Sequence, residues 1–187
     1  MRIFLSLLLA VALPAGAQPY TPETAPEDLK APTQRALDAF QEVKTRLLGR
    51  LGQALQKGGP ELAIEVCREE APRLTTGAVG FPVGRTSHRL RNPKNATPKW
   101  AQTYLDQFAS QPAEKAPVWV VPLQGRVGVI APLGTQSLCL QCHGDPGAMP
   151  AELRTTLKRL YPTDRATGFE VGDLRGVIWA EVPVDEP

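Results

Sequence analysis

The segment Cys139-Leu140-Gln141-Cys142-His143 concentrates most of the reactive chemistry in this chain. Two cysteines two residues apart, followed at once by a histidine, match a c-type haem attachment site. The thiols of Cys139 and Cys142 would form thioethers to a porphyrin, and His143 would bind the iron from one side. The whole chain holds 3 cysteines and 2 histidines, so few side chains can serve the other side of the iron. They are Met149, His88 and Cys67.

Each of the three has a different context. Met149 lies on the short segment that already covers the His143 face, a poor position from which to reach the opposite face. Small electron-carrying cytochromes place their methionine far downstream of the motif, and no such residue exists here. His88 stands among Arg85, Arg89 and Arg91. That cluster reads either as a solvated basic loop or as a set of charge-assisted donors for the two haem propionates, with His88 as an alternative iron ligand. Cys67 falls on the apolar face of an expected helix. There its thiol is either a small inert hydrophobe or a donor to a buried cofactor.

The elements that must position these residues follow from periodicity. Leu37, Phe40, Val43, Leu47, Leu51 and Leu55 recur at threes and fours, which predicts an amphipathic helix over 33–57. Gly58-Gly59 should stop it, and Pro60 is suited to the first turn of a second helix carrying Leu62, Ala63, Val66 and Cys67 on one face, so that Cys67 points inward. Residues 72–97 read as irregular. Thr97-Pro98 should cap a third helix marked by Trp100, Tyr104, Leu105 and Phe108. VWVVPL (118–123) and VGVIAPL (127–133), separated by Gln124-Gly125-Arg126, predict a β-hairpin. The Cys-Xaa-Xaa-Cys-His motif should lie on a loop, followed by a short helix over 150–160 and a last strand over 176–184. Helices come first and strands later, so the expected class is α+β with an antiparallel sheet.

The chain opens MRIFLSLLLAVALPAGAQ, which reads as a secretory signal over 1–17 with cleavage after Ala17. The apolar run is shorter than the roughly 20 residues a membrane span requires. Residues 18–31 read as a loose N-terminal arm, and 32–187 as a single domain. With the signal removed, 20 Lys and Arg (the 21 of the chain less Arg2) face 19 Asp and Glu. Such a balance gives no footprint for nucleic acid or an anionic membrane. The expected product is soluble and periplasmic or otherwise exported. In an oxidising compartment Cys67 would lack a partner thiol.

Four stretches taken together are more specific than the attachment motif alone: AIEVCREEAP (63–72), VGRTSHRLRNPKNATPKW (83–100), SLCLQCHG (137–144) and YPTDRATGFEVGDLRGVI (161–178). In this order they resemble a family of bacterial haem-c domains with a PAS-like fold, long of unknown function. The family is known from a cyanobacterial cytochrome and from sensory portions of signalling proteins. One departure is Ala101, where the family often has an acidic residue. The resemblance implies that a PAS-like antiparallel sheet carries one covalently bound haem c, with His143 and Cys67 as axial ligands.

A thiolate is an anionic donor that favours ferric over ferrous iron and lowers the reduction potential. The expected function is therefore a redox or small-ligand sensing module, not an enzyme, open to a gaseous ligand and working with a separate redox or signalling partner. The alternative is a low-potential periplasmic electron carrier. A third reading, peroxide chemistry at an Arg85/His88 pair, requires an open iron site.

Overall fold

The computed structural model describes residues 18–76 and 80–184, and the expected signal over 1–17 lies outside them. Helix α1 spans Glu27–Glu69 and starts with Glu27 and Asp28, acidic residues placed where the helix dipole favours negative charge. Ala36, Ala39, Phe40 and Val43 are buried against the sheet. Burial of Phe40 and Val43 contributes about 1.5–3 kcal/mol each. The predicted break is present: Gly58 (φ −152°, ψ 19°) and Gly59 (φ 68°, ψ −165°) leave the helical region, and Pro60 begins a return arm. The chain reverses there. Arg50 on the outgoing arm bonds to Glu70, 20 residues later, just past the return arm, a separation that would be about 30 Å along a straight helix. A short helix α2, Ala71–Thr76, follows.

Four strands form one antiparallel sheet in the order β1-β4-β3-β2: β1 Val83–Thr86, β2 Trp119–Leu123, β3 Arg126–Gly134 and β4 Leu174–Pro183. The predicted hairpin joins β2 and β3. Arg126 pairs with Leu123, so the turn itself is Gln124-Gly125, with Gly125 at φ 67°. Side chains alternate between two faces, as strand geometry requires. Val127, Val129, Ile178, Ala180 and Val182 meet α1. Ile130 and Val177 meet α3, Gln102–Ala109, through Leu105 and Phe108. The class is α+β, as the patterning predicted, with the sheet between α1 and α3. Among the described residues no helix is long and apolar enough to cross a membrane.

Three expectations require correction. Residues 18–31 are not a loose arm. Tyr20 exchanges both backbone hydrogen bonds with Val120 (2.9 and 2.8 Å), Ala25 and Leu29 are buried, and α1 already runs from Glu27. Residues 72–97 are not wholly irregular, because they contain most of α2 and the strand β1, paired to β4 through Val83↔Ala180 and Arg85↔Ile178. Thr97 does not cap the third helix: its hydroxyl bonds to that of Thr86 at 2.8 Å, and a 3-10 turn, Lys99–Ala101, leads into α3.

Gly59 occupies a backbone region that is essentially closed to residues with a Cβ. Gly59→Ala should therefore lower unfolding stability by about 1–3 kcal/mol, measured as a drop in the denaturant midpoint. A wild-type midpoint would mean that the reversal tolerates other backbone angles.

Candidate functional site

A cavity of about 440 Å³ lies beneath the α1 reversal, against one end of the central strands. That size is within the range of about 300–1,000 Å³ usual for cofactor and ligand sites. Leu47, Leu51 and Leu55 wall it from the outgoing arm of α1, and Ala63, Val66 and Cys67 wall it from the return arm. Cys139, Cys142 and His143 line it from another side, with Tyr161 and Arg175 completing the wall.

The motif is not on a loop. A 3-10 turn, Ser137–Cys139, passes into the single-turn helix α4, Leu140–His143. Helical spacing then brings Cys139, Cys142 and His143 to one face at positions i, i+3 and i+4. All three cysteines are free thiols.

The ring of His143 is fixed by its Nδ1, which lies 2.7 Å from the carbonyl oxygen of Ala166. A carbonyl can only accept, so Nδ1 carries the proton and the Nε2 lone pair is left available as a ligand. Burial, reinforced by the Arg175 and Arg91 charges, holds the His143 pKa well below 6.5 and keeps the ring neutral.

Arg91 organises this arrangement. It pairs with Asp164 at 2.9 Å, each side chain 11% exposed, and donates to the carbonyls of Cys142 and Ala166. Asp164 in turn accepts from the backbone N–H of Ala166 at 2.7 Å. Arg91 is thus a brace for the motif, with its Nε and Nη2 already engaged.

The other basic residues separate. Arg85 lines the cavity, and its Nε donates to the Thr75 hydroxyl at 3.3 Å. Arg89 does not reach the cavity: it lies 4.1 Å over the Phe169 ring and donates to the Arg165 carbonyl. His88 also stands outside the cavity, edge-on to Phe169, with a buried Nδ1 that has no hydrogen-bond partner among the described residues. The Arg85/His88 pair is therefore not assembled in one site. Met149 is buried with Leu153, Leu157 and Tyr161 behind the wall and does not itself line the cavity.

Cys67 is solvent-accessible, with the cavity beside it, and so is not the inert core residue that its helix face allowed. Surrounding protein raises its pKa, while Arg85, Arg91 and Arg175 pull in the opposite direction.

Arg175 was not singled out from the sequence. Burial and the neighbouring charges of Arg91 and Arg85 push its pKa down to about 10. Among the described residues no ion pair or hydrogen bond reaches its guanidinium, which stands 5.2 Å from the Phe169 ring centroid. A guanidinium so placed favours an anionic group beside it.

An α+β domain that gathers a Cys-Xaa-Xaa-Cys-His turn, a further thiol and unpaired arginine charge around one cavity has the donor set of a cofactor-binding protein. A family model described as Tll0287-like matches residues 20–183. The chain belongs to that family. Among solved structures, the crystal structure of the cyanobacterial heme-protein Tll0287 resembles it with a TM-score of 0.58 and 24% identity, over 86% of this chain and 97% of that one. None of the curated proteins matches the chain.

The neutral, half-buried His143 has a consequence for stability. The unfolded chain gains a proton as pH falls through about 6.5, whereas the folded chain does not until well below that value. The unfolded state then binds more protons, so stability rises with pH in this window and falls on acidification. In protein made without cofactor, wild type should lose up to about 1.4 kcal/mol per pH unit below pH 6.5. His143→Asn should flatten that slope more than His88→Asn does, in chemical denaturation at several pH values. Parallel slopes for wild type and His143→Asn would sink the assignment.

Proposed function

We propose that this chain is an exported mono-haem c-type protein that reports redox state or a small ligand. The observation that carries the reading is that one cavity brings together the attachment motif, a tautomer-fixed His143 and the accessible thiol of Cys67. The description of the solved relative as a heme-protein supports it. The residues present fit the group: two thiols at attachment spacing, an imidazole with a free Nε2, apolar walls and cationic side chains for two carboxylates.

In this reading Cys139 and Cys142 would hold the haem covalently, His143 would supply one donor to its iron, and Cys67 would supply another. The propionates pair with Arg85 and Arg175, while Arg91 supports the motif from behind and Arg89 takes no part. When bound, the haem supplies a one-electron couple and an exchangeable coordination position. The chain's own contribution is to choose the donors. A thiolate from Cys67 would favour ferric iron, and as a soft donor open to protonation it would yield more readily to an incoming ligand in the ferrous state. A donor that is held less firmly in one oxidation state suits reporting better than rapid shuttling. The placement of His88 outside the cavity favours a binding role over peroxide chemistry. Low potential alone would also suit an electron carrier, and Leu138, exposed beside Cys139, gives that alternative an edge for a partner to approach. Fast exchange with a small cytochrome, unaffected by carbon monoxide, would favour the carrier.

Two measurements test the assignment. In holoprotein, Cys67→Ser should raise the potential, by about 60 mV for each tenfold loss of ferric preference, and should turn the ferric spectrum wholly or partly high-spin. An unchanged spectrum and potential would remove Cys67 from the iron. Haem should resist acid-acetone extraction in wild type.

Arg175 offers a test by sign. Without cofactor its half-buried charge has no counter-ion among the described residues, so Arg175→Gln should leave the empty protein as stable as wild type or more so. With propionates paired to it, the same change should destabilise holoprotein and lower its potential. Equal shifts in both forms would argue against propionate pairing.

A further inference from the structure

The reversal in α1 does more than shorten a helix, because it is what brings Cys67 to the cavity. Two features hold the return arm against the outgoing arm. One is a thin apolar seam: Ala54, Ala63 and Val66 are buried, with Leu51, Leu55 and Leu62 only partly covered. The other is a two-point ion pair, in which Arg50 Nε and Nη2 donate to the two Glu70 carboxylate oxygens at 2.5 and 2.6 Å. Such a fork is directional in a way that a single lysine contact is not. It closes the hairpin at the end opposite the Gly58-Gly59 pivot, one turn beyond Cys67. Glu70 is also the junction to α2: its N–H bonds to the Val66 carbonyl, and its own carbonyl accepts from Leu74, both at 2.9 Å.

We propose that Arg50 and Glu70 are a positioning clasp that holds Cys67 at the cavity wall and thereby sets how readily an outside ligand takes its place. The proposal rests on the reading of Cys67 as the exchangeable donor. Neither clasp residue needs to touch the bound group. With the fork open, the arm pivots on two glycines and keeps the seam and the packing of Ile64 against Leu153, Leu157 and Tyr161, but nothing directional fixes the end that carries Cys67. The Cys67 sulfur then spends more time away from the site. Each clasp side chain is about one-third exposed (35% and 36%), so salt can weaken the pair.

The test uses holoprotein and imidazole as the competing ligand, following uptake by the ferric form in absorption. Arg50→Gln and Glu70→Gln should each speed uptake by about three- to fivefold, and should speed hydrogen exchange of the amides in 61–69. The exchanged pair R50E/E70R should return both rates most of the way to wild type. Val43→Ala, a core truncation under the outgoing arm, should lower the thermal midpoint without changing uptake. Wild-type uptake in both single variants would overturn the clasp. Failure of R50E/E70R to recover, or equal acceleration by Val43→Ala, would reduce the pair to general stability and overturn it too. Should the single variants not fold, wild type decides: uptake should rise between low salt and 1 M salt, and a flat response overturns the proposal. Cys67→Ser separates this inference from the one beneath it. If that variant takes up imidazole at the wild-type rate, ligation by Cys67 is wrong. Iodoacetamide labelling of Cys67, faster in Arg50→Gln than in wild type, then decides the clasp alone.

Discussion

The motif turn has no strand of its own to anchor it, and the Arg91–Asp164 ion pair supplies that anchor. Both partners are nearly buried, so removing either would leave an uncompensated charge, at a cost of about 3–5 kcal/mol. The pair belongs to a wider set: Arg91 Nη2 also donates to the Cys142 and Ala166 carbonyls, and Asp164 also takes the Ala166 N–H. The Ala166 carbonyl accepts from Arg91 and from His143 at once. One peptide group therefore links the tautomer of the histidine to the position of the attachment turn. Backbone bonds from Gly168 and Phe169 to Gly144 and His143 close the same unit from the other side.

The formal charge of the whole chain is only +2, yet its charges are sorted locally. Among the described residues the cavity is lined by Lys44, Arg50, Arg85, Arg91 and Arg175 and by no carboxylate. Arg50 and Arg91 are neutralised by partners outside the lining, Glu70 and Asp164. What remains is a cationic interior with apolar walls, in which fields act more strongly than in water. Composition cannot display this, because the compensating acids lie elsewhere on the surface.

Much of this was legible in the sequence, for identifiable reasons. The attachment motif declares itself by spacing, and β2, β3 and β4 by β-branched runs. The break at Gly58-Gly59-Pro60 follows from backbone chemistry alone, whereas the reversal of direction there shows only in the fold. Strand β1 was not legible, since its two central residues are Gly84 and Arg85 and its pairing is set by β4 rather than by its own propensity. The attachment turn looked like a loop because one turn of helix is too short to show a period. The segment around Tyr20 looked loose because its order comes from a partner about a hundred residues away. Arg89 and Arg91 were indistinguishable in a basic run; which of them faces the cavity depends on Asp164 and Phe169, both far along the chain. Arg175 sits in a stretch that carried the family likeness, but only the fold shows that its charge is half-buried at the cavity and unpaired among the described residues.

The bridge between Tyr20 and Val120 also determines how the sheet ends. Strand β2 pairs inward to β3, so alternate residues on its free side point their backbone groups outward. At Val120 both outward groups are taken by Tyr20. The next outward position is Pro122, which has no N–H to offer. A strand from another molecule would find no free donor at either position, so this flank resists the edge-to-edge stacking through which sheets polymerise. An N-terminal stretch that looks dispensable thus serves as a stopper against aggregation, and trimming it would expose the β2 edge that the fold otherwise closes with its own chain.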